Sequence, residues 1–207
     1  MKGVCLIGYS GHSYVVCDAL HSIGIDVKHY CENTPKKQNP FSLDFLGTEK
    51  EALRQGFFNE LIPVLAIGDN KIRMSIGDFL TSSGIKIFTV IHSRSFIASK
   101  VTVGEGTVIF AGAVINPLAE IGRGVICNSS CIIEHESSIG DYSHICPGAV
   151  LAGNVRVGKM AFIGANAVIK QGVEIGDGAI VGAGSVVVKN VEANSMVYGN
   201  PSSVKLK

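Results

Sequence analysis

The chain has 207 residues, room for one ample domain or two small ones at the usual ~100–200 residues per domain. Lys and Arg total 18 against 17 Asp and Glu, a net charge of +1, so there is no basic field to hold a nucleic-acid backbone, and nucleic acid is not an expected partner. Apolar residues make up 46% and charged ones 17%, which suits a buried core and argues against disorder.

The opening MKGVCLIGYSGH has a short apolar run that ends at glycine with no small-residue cleavage site after it, so no signal peptide is expected. No apolar stretch reaches the ~18 residues of a membrane span. Cys5, Cys17, Cys31, Cys127, Cys131 and Cys146 include no C-x-x-C pair and mostly lie in apolar patterns. They read as reduced, buried thiols of a cytoplasmic protein, with Cys5, Cys17 and Cys127 serving as small hydrophobes.

Residues 1–90 alternate strand and helix. Val4 to Ile7 is a short apolar strand, and Gly8-Tyr9-Ser10-Gly11-His12 turns into a helix that stops at Gly24. A second strand spans Val27 to Cys31, and Thr48-Glu49-Lys50-Glu51 has the capping-box pattern of a helix start. Ile62 to Ile67 is a third strand, Asn70 to Ser83 a helix closed by Gly84, and Ile85 to Val90 a last strand. The pattern predicts a small parallel α/β sheet of Rossmann-like type. Its first strand-turn-helix presents backbone N–H groups where a phosphate can sit, although G-x-x-G is also what a plain connecting turn looks like.

Composition shifts near residue 90. The first 90 residues hold 8 Leu and 15 Val or Ile, and the remaining 117 hold 3 Leu and 31 Val or Ile. That is a change from mixed helix and strand to strand and turn, and it divides the chain into domains of residues 1–90 and 91–207. Every sixth residue from Ile91 through Ile97, Val103, Ile109 and onward to Val187 is apolar, and four places after each stands a small or β-branched residue, from Ser95 and Val101 to Ser185 and Val191. An α-helix cannot keep this period, because six residues rotate by about 600° and drift off any one face. A hexapeptide β-helix can, with three hexads closing a triangular coil of roughly 18 residues and coils stacking at about 4.8 Å.

The candidate chemistry lies on this β-helix. His135 falls two places after the inward Ile133 and projects from the prism wall, flanked by Glu134 and Glu136. A carboxylate reaching the imidazole would fix its tautomer for general-base work; a solvated surface histidine is the plainer alternative. His144 lies half a coil further on, so the two histidines meet most easily across a subunit interface. Gly153 is one coil beyond His135 and stacks over it, either as a bare N–H for an oxyanion or as a corner glycine. With His12, His21, His29 and His92 in or beside the first domain and no H-x-x-x-x-H, no metal site is expected.

Gly8-Tyr9-Ser10-Gly11-His12, Ala66-Ile67-Gly68-Asp69-Asn70 and the stretch from Ile133-Glu134-His135-Glu136 to Ser143-His144, followed by the hexads, resemble the bacterial sugar acetyltransferases of the PglD and NeuD type. The resemblance spans nearly the whole chain. It implies a left-handed β-helix, a homotrimer, and direct acetyl transfer from acetyl-CoA to the amino group of a nucleotide-linked sugar. Carried over by motif, His135 is the general base, Glu136 raises its basicity and Asn128 orients the site. His144, Gly153, Ala165 and Ala183 contact acetyl-CoA between subunits, while Ser10, Gly11, His12, Glu32, Asn33 and Gly68 hold the nucleotide-linked sugar. Two motifs depart from the family pattern. The acidic pair after the second strand reads Glu32-Asn33, and the G-x-P-A-K tail reads Gly199-Asn200-Pro201-Ser202-Ser203 with its lysine at Lys205. An O-acetyltransferase for a sialic-acid-like sugar and a silent sugar-nucleotide-binding protein are the competing readings.

Overall fold

The computed structural model describes residues 2–204, so the displaced Lys205 lies outside the described residues. The first part comprises β1 (Gly3–Ile7), α1 (Gly11–Ser22), β2 (His29–Cys31), β3 (Asp44–Phe45), α2 (Glu49–Arg54), a 3-10 turn (Phe57–Asn59), β4 (Leu61–Leu65) and α3 (Asn70–Ser82). Its four strands are all parallel, in the order β3-β2-β1-β4. Val4 to Ile7 are all buried, as expected of a central parallel strand covered on both faces. α2 starts with a reciprocal cap, in which Thr48 N donates to Glu51 Oε2 at 2.8 Å and Glu51 N to Thr48 Oγ1 at 3.2 Å.

The expected fifth strand, Ile85 to Val90, is not in this sheet. Residues 85–89 are irregular and touch it through one hydrogen bond, Phe88 N to Pro63 O at 2.8 Å. Val90–Ile91 pairs instead with Val108–Ile109, because Val90 already stands in the hexad register and the stacked coil supplies its partners. β3 went unread in the sequence, being only two residues long with both exposed.

From Val90 onward the chain winds into a left-handed parallel β-helix of two-residue strands, each paired with the strand 18 residues away. The first face carries Val90–Ile91, Val108–Ile109, Ile126–Cys127, His144–Ile145, Phe162–Ile163 and Ile180–Val181; the second runs from Phe96–Ile97 to Val186–Val187; the third from Thr102–Val103 to Glu174–Ile175. A terminal hairpin, Met196–Gly199 with Ser202–Val204, extends the first face. The large hexad residues from Ile109 to Val187 are buried and form one continuous core. Ile91, Ile97 and Val103 belong to the first coil, which has no coil above it, and are more exposed. Every sixth residue from Lys100 to Gly184 occupies the left-handed region, with φ between +55° and +72°; these are the corners that let the chain turn three times per coil.

The first part is seated on the upper half of the first face. Tyr9, Val16 and Leu20 share a core with Val108, Phe110 and Ile126, and on the other side of the sheet Leu80 and Met74 pack with Tyr142 and Met160. This seating brings the carboxyl ends of β1, β2 and β4 beside the wall of the prism. Among the described residues no helix is long and apolar enough to cross a membrane.

Candidate active site

The carboxyl ends of the parallel strands open into a cavity of about 330 Å³ lined by Gly8, Ser10, Glu32, Asn33, Glu49 and the 66–69 loop, among others. That is where open α/β sheets receive ligands. Gly8 has φ +96°, and a Cβ there would stand 2.7 Å from Ile67 Cγ1, so only glycine allows the turn that aims α1 at the cavity. Nothing would crowd a Cβ on Gly11, which is exposed at the start of α1, where free helix N-terminal amides can receive an anion. Glu32 is largely committed to the protein: its carboxylate accepts from Tyr9 N at 3.2 Å and Asn33 N at 3.1 Å and pairs with Lys36 at 3.1 Å. Burial pulls its acidity one way, but Lys36 and the two amides outweigh it and hold the carboxyl below its ordinary value.

A buried polar cluster joins the cavity to the β-helix. Arg73 is 1% exposed, and its guanidinium donates to Gly124 O at 2.7 Å, Ile67 O and Gly68 O at 3.0 Å, Asn70 Oδ1 at 2.8 Å and Tyr142 O at 2.8 Å. Asn70 Nδ2 reaches Met160 O and Ala161 O, both at 3.1 Å. The Gly68 loop is thereby fastened to two coils of the prism. Beside it lie His12 and His144, with ring centroids 6.3 Å apart. Burial first, then the charge of Arg73, pushes His12 down to about 4 and His144 to about 3, so both imidazoles are neutral at pH 7.

Asn128 fixes the tautomer of His144. Its Oδ1 accepts the obligatory donor Ser129 N at 2.8 Å, so Nδ2 is the atom that faces His144 Nε2 at 3.0 Å and donates to its lone pair. The proton of His144 therefore sits on Nδ1, which is buried without a hydrogen-bond partner, as is His12 Nε2.

His135 stands on a different edge, the corner between the second and third faces. Its Nδ1 lies 2.9 Å from Glu136 Oε2, and the carboxylate accepts the Nδ1 proton, leaving the Nε2 lone pair free for a substrate. Glu136 occupies a left-handed corner, φ +62°, a conformation disfavoured for a side chain of this size. Gly153 is not a corner glycine: the left-handed residue of its hexad is Asn154, and a Cβ on Gly153 would stand 2.6 Å from His135 Cε1 and 2.7 Å from Nε2. Glycine is there because the imidazole occupies the space.

Three groups result. His135, Glu136 and Gly153 converge; His12, Asn128, His144 and Gly68 converge; Ser10, Glu32, Asn33 and Gly68 line the cavity, with Gly11 next to them. Ala165 and Ala183, one coil apart, lie at the corner between the first and second faces, a face-width from the His135 edge. Arg73 goes unread in the sequence, where a lone arginine on an amphipathic helix looks like surface, and Asn70, although part of the Ala66-Ile67-Gly68-Asp69-Asn70 motif, has no role assigned there. A further cleft of about 550 Å³ runs below the Gly68 loop, floored by Phe162 and Ile180, and no sequence motif announced it. Among the described residues no three His, Cys, Asp or Glu side chains are grouped to hold a metal ion.

Residues 3–79 match the PglD N-terminal domain family, and residues 154–189 match the bacterial transferase hexapeptide family. A variant of perosamine N-acetyltransferase from Caulobacter crescentus, in complex with CoA and GDP-perosamine, is similar at 32% identity and TM-score 0.95, over 100% of this chain and 98% of that one. The acetyltransferase domain of PglB from Neisseria gonorrhoeae is 27% identical with TM-score 0.93, over 99% of this chain and 100% of that one. WeeI from Acinetobacter baumannii is 25% identical with TM-score 0.84, over 99% and 100% respectively. Both halves of the architecture, together with end-to-end similarity at this level, show that the chain belongs to the hexapeptide-repeat sugar acetyltransferases of the PglD and NeuD type.

Proposed function

We propose that the protein transfers an acetyl group from acetyl-CoA to the amino group of a nucleotide-linked amino-deoxysugar, with His135 as general base. The observation that carries this reading is the His135–Glu136 pair at 2.9 Å with Gly153 cleared beside the ring, in a chain similar to an enzyme that binds CoA and GDP-perosamine. The nucleotide sits in the strand-end cavity, with its phosphates at the first turn of α1 and its sugar directed past Gly68 and His12.

The same reading makes the enzyme a homotrimer. The outward residues of the second face, Phe96, Val114, Ile132, Val150, Val168 and Val186, form an apolar column, and Phe162, Ile180 and Met196 continue one on the lower first face. The third face is polar, with Glu120, Arg156 and Glu174 outward. Packing the second face of one copy on the lower first face of the next covers both columns. It carries one chain's His135 toward the neighbour's His144 and Phe162, so acetyl-CoA lies between subunits with its thioester arm along the Phe162–Ile180 cleft.

Chemically, Nε2 of His135 accepts a proton from the sugar nitrogen as that nitrogen attacks the thioester carbonyl. A C–N bond forms, the Gly153 N–H supports the oxyanion, the C–S bond breaks, and the imidazolium returns the proton to the departing CoA sulfur. Glu136 holds the Nδ1 proton throughout. Direct transfer predicts intersecting, ternary-complex kinetics when thiol release is followed with UDP- and GDP-linked amino sugars; a ping-pong pattern refutes it. His135→Ala should lower turnover by ~10²-fold or more with the fold intact, and near-parental turnover removes His135 from the role of base.

A further inference from the structure

The strand-end cavity contains a carboxylate that has no side-chain hydrogen-bond or ion-pair partner among the described residues. Three acids line it: Glu32, Glu49 and Asp69. Glu32 is held by Tyr9 N, Asn33 N and Lys36. Asp69 caps α3, accepting from Ile72 N at 2.9 Å. Glu49, half-buried at the first position of α2, makes no side-chain hydrogen bond or ion pair with any described residue, although its neighbour Glu51 closes the cap with Thr48. Ile72 and Ile76 of α3 add aliphatic surface to the same cavity, and Ile72 is 54% exposed. Aliphatic surface in one cavity with an unpaired carboxylate suits a flat ring that carries N–H donors on one edge.

We infer that Glu49 is a specificity-determining residue that reads the nucleobase, and that the base is guanine. The inference rests on the reading of this cavity as the nucleotide-sugar site. A carboxylate is acceptor-only, with two oxygens that match two parallel donors. Guanine offers such a pair on one edge, N1–H and the 2-amino group. Uracil and thymine offer a single N3–H between two carbonyl oxygens, so a carboxylate that takes the proton faces an acceptor. Adenine and cytosine set a ring-nitrogen acceptor beside their amino group and meet the same repulsion. The diphosphate at α1 fixes one end of the ligand and the aliphatic surface of Ile72 and Ile76 its plane, so Glu49 decides at the edge.

The test is calorimetric titration of the full chain, without acetyl-CoA, using GDP, IDP and UDP. A bidentate base contact gives about tenfold or more in discrimination, so GDP should bind at least that much more tightly than UDP. IDP, which keeps N1–H and lacks the 2-amino group, should fall clearly below GDP. Glu49→Gln replaces one acceptor with a donor; it should weaken GDP and strengthen UDP relative to the parent. Equal binding of GDP and UDP, of GDP and IDP, or an unchanged GDP preference in Glu49→Gln overturns the assignment while leaving the cavity a nucleotide site. Binding of none of the three removes both this inference and the reading beneath it. The IDP comparison needs no variant and decides the matter even if Glu49→Gln fails to fold.

Discussion

Gly153→Ala separates the chemistry from the fold. The added methyl would lie 2.6 Å from His135 Cε1 and 2.7 Å from Nε2, whereas carbon atoms in contact settle at about 3.5–4.0 Å, so the ring must retreat by roughly 1 Å. The imidazole is half-exposed and held by one hydrogen bond to Glu136, so it yields before the stacked coils do. A displacement of about 1 Å at a reacting group costs on the order of 10²-fold in turnover. The backbone pulls the other way. Gly153 lies outside the left-handed region, and alanine at a compatible position stabilises by ~0.4–1 kcal/mol through a less free unfolded chain. The expected variant is therefore at least as stable as its parent and strongly impaired. Thiol release from acetyl-CoA at saturating acceptor measures the loss, and a thermal melt measures stability. Parental turnover would show that the ring does not work from this position, and a large drop in Tm would show that Gly153 serves the coil instead.

Other perturbations test neighbouring parts of the argument. Glu136→Gly should relieve a left-handed corner by about 1 kcal/mol while lowering turnover, measured by the same two assays; a variant that is both less stable and fully active contradicts the role given to the carboxylate. Arg73→Met strips the donor from the carbonyls of Gly124, Ile67, Gly68 and Tyr142, and should cost at least ~2 kcal/mol in urea unfolding. Arg73→Lys should restore part of that, with KM for the nucleotide sugar raised more than KM for acetyl-CoA; equal effects on both would deny the Gly68 loop its positioning role.

Acid stability follows from His12 and His144, whose folded values are pushed down to about 4 and about 3. Unfolded histidines take up protons near ~6.5, so below that pH the unfolded chain binds more protons than the folded one. The contribution is complete above about pH 6.5 and is lost as pH falls toward about 4 for His12 and about 3 for His144, by up to ~1.4 kcal/mol per pH unit for each ring. Urea midpoints across that window give the slope, and His144→Asn should flatten it; an unchanged slope refutes the assignment.

The β-helix was legible in the sequence because a period of six is incompatible with a helix and tolerates no slip: each inward residue is set by its place in the hexad, and its partners lie a fixed 18 residues away. Gly153 over His135 follows from that arithmetic, and so does their contact. The α/β part was legible at Thr48 and Gly8, where local chemistry fixes a cap and a turn. What happens at the junction was not, because it depends on side chains far apart in the chain. The role of Arg73 needs carbonyls from residues 67, 68, 124 and 142, and the tautomer of His144 needs Asn128 held by Ser129. Ile85 to Val90 looked like a strand by composition, but the stacked coil competed for Val90 and won through register. Sequence alone determined the repeat, its inward and outward residues and the His135 edge. Only the tertiary structure decided which carboxylates are satisfied, which imidazoles are buried neutral, and how the nucleotide cavity is fastened to the prism, because burial and long-range hydrogen bonding exist only once the two parts are docked.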